Sequence, residues 1–278
     1  MKRFDEQLSF GGYGVSLAEK TERAIALLKQ YEPEAIERDP LGYYLAFSGG
    51  KDSVVIADLA KRAGVRHRKV YHVTGIDPPE LVQFIHHQHK GCVLTRSDKP
   101  FFVRLAEDKG LPTRMIRWCC EYYKHCYGGN SLRILGVRAA ESSARAGRYQ
   151  ERTDSPIGAL LNPIVHWTDV DVWQYIHANR VPYCKLYDEG FKRLGCIGCP
   201  MAGAMRKAEF ARWPKYEVLW RKYWAKYWAK YWAKYQGTPT KKGRPRYLER
   251  FKSADEMFEW WLSDHPTPDD GTCQQGLW

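Results

Sequence analysis

The stretch that decides the fold is Tyr43-Tyr44-Leu45-Ala46-Phe47 followed by Ser48-Gly49-Gly50-Lys51-Asp52-Ser53. The first five residues suit a short buried strand, and residues 54–62 place apolar side chains at helical spacing. Between strand and helix, two glycines let successive amides converge on one anion. Ser48 and Ser53 offer hydroxyl donors, Lys51 offers charge, and the following helix presents its positive end. This predicts a phosphate-cradling loop, and with it an adenine-nucleotide enzyme. Asp52 would repel a bare phosphate, so it is expected to touch magnesium (Mg2+) or to brace the loop. A Walker loop is excluded, because it needs four residues between its first Gly and Gly-Lys-[Ser/Thr].

Working outward, further strands are predicted at 68–73, 92–95, 133–137 and 162–166. Helices are predicted at about 17–31, 79–89 and 168–178. Such alternation gives an α/β class with a mostly parallel sheet flanked by helices. Ligands of these sheets bind beyond the carboxyl ends of the strands. Two polar groups fall there: Thr74-Gly75-Ile76-Asp77, and Arg138 with Glu141 and Arg145. Arg138 or Arg145 could neutralise a phosphate or sulfate, and Asp77 or Glu141 could receive a hydroxyl or a metal. The seven histidines from His67 to His166 show no His-Glu-x-x-His arrangement.

Four of the eight cysteines form two pairs, Cys119-Cys120 and Cys196-x-x-Cys199. Four thiolates select zinc or an iron–sulfur cluster. Adjacent ligands strain a compact tetrahedral ion and fit a larger cube more easily, so a [4Fe-4S] cluster is the favoured reading, with zinc and a free redox dithiol as alternatives.

The formal charge of +12 is concentrated in residues 204–252, which hold fifteen Lys or Arg against three Glu. A polyanion, above all nucleic acid, is the expected partner of that segment. Within it, Lys-Tyr-Trp-Ala repeats three times from Lys222. A four-residue period overshoots each helical turn, so the tryptophans spiral. Tyr and Trp together coat too much of the helix to leave in water. They are expected to pack against the α/β core or a second subunit, as in a homodimer, with a base-stacking platform as the competing reading. A basic loop over 237–246 and a closing helix over 254–262 follow. The domain expectation is a helical lead-in over 1–40, a nucleotide-binding and cysteine-bearing α/β domain over 41–203, and a basic, aromatic-rich helical region over 204–278. No signal-like start and no run of 18 apolar residues occurs, which predicts a cytoplasmic protein without membrane contact.

Taken together, Ser48–Ser53, Thr74–Asp77, Cys119-Cys120, Gly136-Val137-Arg138-Ala139-Ala140-Glu141-Ser142 with Arg145, Asn162-Pro163-Ile164, Trp167 and Leu194-Gly195-Cys196-Ile197-Gly198-Cys199-Pro200 closely resemble the phosphoadenylyl-sulfate (PAPS/APS) reductase family. These motifs run in family order over about 40–203. The resemblance implies a HUP-type, Rossmann-like sheet in which the serine-glycine loop holds phosphate. It further implies that Cys119, Cys120, Cys196 and Cys199 ligate [4Fe-4S], and that Arg138 and Arg145 face the nucleotide.

Reductases of the family carry a C-terminal Glu-Cys-Gly-Leu-His-type segment. Here its counterpart is Gly271-Thr272-Cys273-Gln274-Gln275, without the flanking Glu and His. Two activities are implied. One is ATP-dependent sulfur transfer to DNA or tRNA through adenylation with release of pyrophosphate, with a sulfur donor such as a cysteine desulfurase; it resembles the cluster-bearing branch that includes DNA phosphorothioation proteins. The other is thioredoxin-linked reduction of adenylyl sulfate or its 3'-phosphorylated form, with Cys273 as nucleophile. The basic segment and the altered tail favour the first. A non-catalytic nucleotide- or cluster-binding role is the third expectation.

Overall fold

The structure is a computed structural model that describes residues 15–125, 128–156, 158–239 and 246–263. In chain order it contains α1 (Leu17–Arg38), β1 (Tyr43–Ala46), α2 (Lys51–Ala63), β2 (His67–Val73), α3 (Pro79–Gln88) and β3 (Val93–Arg96). Next come the short helices α4 (Phe101–Arg104) and α5 (Trp118–Cys120), then β4 (Arg133–Ile134), α6 (Ser143–Arg148), β5 (Arg152–Ser155) and β6 (Gly158–Leu161). Four helices complete it: α7 (Asp169–Ala178), α8 (Met205–Arg212), α9 (Pro214–Tyr235) and α10 (Ala254–Leu262). Among the described residues, no helix is long and apolar enough to cross a membrane.

The chain divides into two compact units that interleave along the sequence. The first draws on the described residues of 1–72, 79–95 and 126–194. Its sheet has the order β3-β2-β1-β4-β6-β5. β1 runs parallel to β2 and β4, β4 runs parallel to β6, and only β5 against β6 is antiparallel among these pairings. The α/β class is therefore as expected, with a mixed, mostly parallel sheet.

Central β1 buries Tyr43, Tyr44 and Leu45, and its flanking helices supply Leu27 and Leu28 from α1 and Val54, Val55 and Ile56 from α2. Tyr43 donates its hydroxyl to the Leu28 carbonyl at 2.6 Å, fastening α1 to the strand. α1 starts at a capping box made by Ser16 and Glu19. It runs through Pro33 to Arg38, where the sequence predicts an end before the proline. The buried Ala35 extends its apolar face beyond that break, so packing outweighs the missing amide. The strand predicted at 162–166 lies earlier, at β6. Pro163 has no amide to give a ladder, and the Val165 and Trp167 amides close turns onto Asn162 and Ile164.

The second unit draws on residues 73–78, 96–125 and the described residues of 195–278. Its core is aromatic. α9 buries Trp220, Trp224, Tyr227 and Trp228, and α10 buries Phe258 and Trp261. Two of the indole donors in this core find carbonyl partners: Trp224 Nε1 reaches Ala254 O at 2.8 Å and Trp261 Nε1 reaches Pro112 O at 2.8 Å. The Lys-Tyr-Trp-Ala helix therefore buries these rings within the second unit, where the sequence reading expected the α/β core or a second subunit to cover them.

Candidate functional site

The loop between β1 and α2 has the form its glycines predict. Gly49 takes φ of +72°, and a Cβ there would stand 2.7 Å from Leu81 Cδ1, so neither the conformation nor the space admits a side chain. Gly50 caps α2 without any side-chain hydrogen bond, leaving the first-turn amides to outside partners. One partner is Tyr187, whose hydroxyl accepts from the Lys51 amide at 2.8 Å. The two serines shape the loop itself. Ser53 Oγ donates to Gly50 O at 2.8 Å, and Ser48 Oγ donates to Ser53 Oγ at 3.2 Å.

Charged groups surround this loop in an ordered array. Lys51 is nearly buried, its ammonium 3.1 Å from Asp169 Oδ1 and 3.2 Å from the Lys192 carbonyl. Arg138 is only 3 % exposed, and its guanidinium bridges Asp52 Oδ1 at 2.6 Å and Asp169 Oδ1 at 3.0 Å. Asp52 thus braces the loop through Arg138, one of the two roles expected for it. Glu141 lies 3.7 Å from Arg138 and pairs with Arg145. Desolvation and the facing charge of Arg193 lower the Arg145 pKa, a sign that cations gather at this edge. Ser48, Gly49, Gly50, Lys51, Asp52, Ser53, Arg138, Glu141 and Arg145 all belong to the first unit.

Sequence reasoning missed Asp169 and Tyr187. Asp169 opens α7, where a carboxylate in the first turn reads as helix capping, and Tyr187 lies on a single 3-10 turn, Lys185–Tyr187. The Tyr187 ring stands edge-on to Trp173 at 5.1 Å and under the Lys51 ammonium at 5.7 Å. Burial pushes its hydroxyl pKa up, so it stays a neutral acceptor and donor.

Thr74, Gly75 and Asp77 belong instead to the second unit, with the cysteines. Asp77 Oδ2 accepts from both the amide and the hydroxyl of Thr74, at 2.9 and 2.8 Å, closing a tight turn. Cys196 Sγ stands 3.6 Å from Thr74 Oγ1 and 3.9 Å from Asp77 Oδ1. The Cys-x-x-Cys turn is held on three sides. Ile197 N donates to Ile76 O at 2.7 Å, Gly198 N to Glu209 Oε2 at 2.8 Å, and Trp220 Nε1 to Ile197 O at 3.3 Å.

Cys119 and Cys120 face the same group. A hydrogen bond between them pushes the Cys119 thiol up and pulls the Cys120 thiol down to about 5, with Lys124, Arg117 and His125 adding to the second shift. Cys119 also feels the charges of Cys196 and Cys199. Burial raises Cys196 to about 11 against the opposing pull of Lys124. The surface residue Lys124 is itself held protonated, first by Cys196 and then by Asp77 and Cys120. All four cysteines are free thiols. Among the described residues, no three His, Cys, Asp or Glu side chains converge tightly enough for a single metal ion. Cys273 lies outside the described residues, as does the rest of the tail segment.

A parallel sheet whose β1 feeds a glycine loop and a helix amino end defines the class: a nucleotide-binding α/β protein. The chain belongs to the phosphoadenosine phosphosulfate reductase domain family, whose profile matches residues 42–202. It is similar to two uncharacterized proteins of Methanocaldococcus jannaschii. One is 33 % identical over 64 % of this chain and 41 % of its own length, the other 34 % identical over 70 % and 49 %. The chain thus spans about half the length, or less, of these two relatives. It is also similar to the adenosine 5'-phosphosulfate reductase of Allochromatium vinosum, 28 % identical over 64 % of this chain and 74 % of that protein.

Proposed function

We propose that this chain is a sulfonucleotide reductase that binds adenylyl sulfate or its 3'-phosphorylated form in the 48–53 loop. The observation that carries the reading is the glycine loop, with its α2 amides and the Lys51–Asp169–Arg138 array, within a family match that spans more than half of the chain. Similarity to several proteins named adenosine 5'-phosphosulfate reductase supports this substrate class over ATP. The loop amides and Lys51 hold the nucleotide's phosphate, while Arg138 keeps Asp52 turned away from the anion. A thiolate, assigned to Cys273, attacks the sulfate sulfur. The sulfur–oxygen bond to the adenylyl phosphate breaks and AMP leaves, or adenosine 3',5'-bisphosphate from the 3'-phosphorylated form; an external dithiol such as thioredoxin then supplies two electrons, releasing sulfite and regenerating the Cys273 thiol as the dithiol becomes a disulfide.

Cys119, Cys120, Cys196 and Cys199 would hold a [4Fe-4S] cluster. What supports this reading is four half-buried thiols free of disulfides, with Cys119 close enough to feel the charges of Cys120, Cys196 and Cys199. When bound, such a cluster would crosslink the two cysteine pairs within the second unit, its four thiolates giving it a net negative charge.

A second reading is favoured by the exposed lysines of α9 and by the tail's lack of the family's Glu and His. On it, the loop takes ATP and magnesium, pyrophosphate leaves, and the adenylated position on DNA or tRNA accepts sulfur from a donor such as a cysteine desulfurase. One anaerobic assay separates the two. ATP, adenylyl sulfate and its 3'-phosphorylated form are each supplied with thioredoxin, with and without nucleic acid. Sulfite release that is lost in Cys273→Ser is the expected result. Pyrophosphate release from ATP stimulated by nucleic acid, with no sulfite from either sulfonucleotide, would replace the first reading by the second.

A further inference from the structure

α9 presents opposite faces of different chemistry. At 100° per residue, Trp220, Trp224, Tyr227 and Trp228 fall within about 100° of arc, and all four are buried. The other side carries Lys215, Lys222, Lys226, Lys230 and Lys234, all exposed. These five lie within an arc of about 120° and along about 28 Å of helix, from the rise of about 1.5 Å per residue. Exposed Ala225, Ala229 and Ala233 run beside the row, on the side away from the buried rings, while Leu219 and Tyr223 lie within its arc.

This lysine row is uncompensated. Among the described residues none of the five is paired with a carboxylate, whereas neighbouring Arg221 is neutralised by Glu217, Asp255 and Glu259. The other contacts made by these lysines leave their charge intact. Lys230 donates to the Glu107 carbonyl at 3.0 Å, Lys226 lies over the Tyr223 ring, and Lys234 lies over the Tyr235 ring. The nearby carboxylates of Glu107 and Asp108 are held by Lys99.

We propose that this face of α9 docks the phosphate backbone of double-stranded nucleic acid. A row of about 28 Å matches the length of about eight base pairs at 3.4 Å each. Short alanines beside the row leave room for a backbone on that side of the helix. Two features disfavour other polyanions. A helix lying on a lipid surface needs an outward apolar face, and here the aromatic face is buried against the unit's own core. A single-strand platform needs exposed rings to stack on bases, and the four central rings are unavailable for that. The surface reads charge and shape rather than sequence. It stands independently of which nucleotide the 48–53 loop accepts.

The test is the salt dependence of binding, measured with the full chain and a labelled DNA duplex. Neutralising one phosphate contact changes the slope of log K against log salt by about 0.9. The double variant Lys226→Gln/Lys230→Gln is therefore expected to flatten the slope by about 2, while Lys226→Arg/Lys230→Arg keeps it. Taking differences cancels contributions from basic residues elsewhere. Circular dichroism checks that both variants retain their helix content, as exposed positions should. Duplex is expected to bind at least as tightly as an oligothymidylate of equal length. The proposal is overturned by absence of duplex binding at low salt, by an unchanged slope in the glutamine variant, or by binding to phosphatidylserine vesicles in place of duplex. If duplex binding follows the expected slopes while no nucleotide is turned over, the reductase reading fails and this one stands.

Discussion

Replacing Gly198 by alanine isolates the support of the thiol turn. Gly198 takes φ of +78°, and a Cβ there would stand 2.8 Å from Phe210 Cζ and 2.9 Å from Trp220 Cε2 and Nε1. Left-handed backbone costs a non-glycine residue about 1–2 kcal/mol. Forcing a methyl into a packed aromatic wall adds about 1–3 kcal/mol. The expected loss is therefore about 2–5 kcal/mol, a large part of the roughly 5–15 kcal/mol that holds a typical domain. Urea unfolding under reducing conditions, followed by tryptophan fluorescence, reads it directly. Gly195→Ala is the matched control, since a Cβ there meets nothing within 4 Å; its expected change is within about 0.5 kcal/mol. Should Gly198→Ala cost no more than this control, the turn is not pinned against Phe210 and Trp220 as described.

Two further perturbations address the first unit. Tyr187→Phe removes the hydroxyl that caps the Lys51 amide but keeps the ring on Trp173, and should lower ligand-free stability by about 1 kcal/mol. Saturating adenine nucleotide should shrink that difference in thermal unfolding, because a phosphate oxygen then takes the same amide; an equal difference with and without nucleotide would show that Tyr187 does not share the anion position. For Asp39, hydrogen bonds from Arg68 and Ser131 hold the carboxyl down at about 2 from its ordinary 3.8. A depressed carboxylate stabilises the fold above about pH 4, and the contribution, about 1–2 kcal/mol at its partly exposed site, is lost as pH falls toward 2. The stability gap between the wild type and Asp39→Asn should close over that window, and a gap independent of pH would refute the assignment.

Local chemistry made the loop legible in the sequence. A strand, two glycines and a helix start leave few conformations, and the structure places Ser48–Ser53 accordingly. Most helices were equally readable, α10 to the residue, because their apolar spacing and caps agree. What escaped depends on long-range packing. Nothing near Asp169 or Tyr187 marks them as partners of Lys51, since those contacts span 118 and 136 residues of chain. Asp77 read as a ligand at a strand end, yet its carboxylate turns back onto its own Thr74. The aromatic repeat left packing and base stacking as rival readings. Only the burial of Trp220, Trp224, Tyr227 and Trp228 separates them.

That repeat also makes α9 a helix of adjustable length. Its anchors sit at the amino-terminal half, where Trp220 reaches Ile197 and Trp224 reaches Ala254. Trp232, in the last repeat, is only half-buried. Copy-number change in the underlying tandem repeat would add or remove about 6 Å of helix at the far end, with about 40° of rotation, and leave the anchors where they are. Each added copy would bring one more lysine. The proposed docking face would thus lengthen with each added copy, without redesign of the core it grows from.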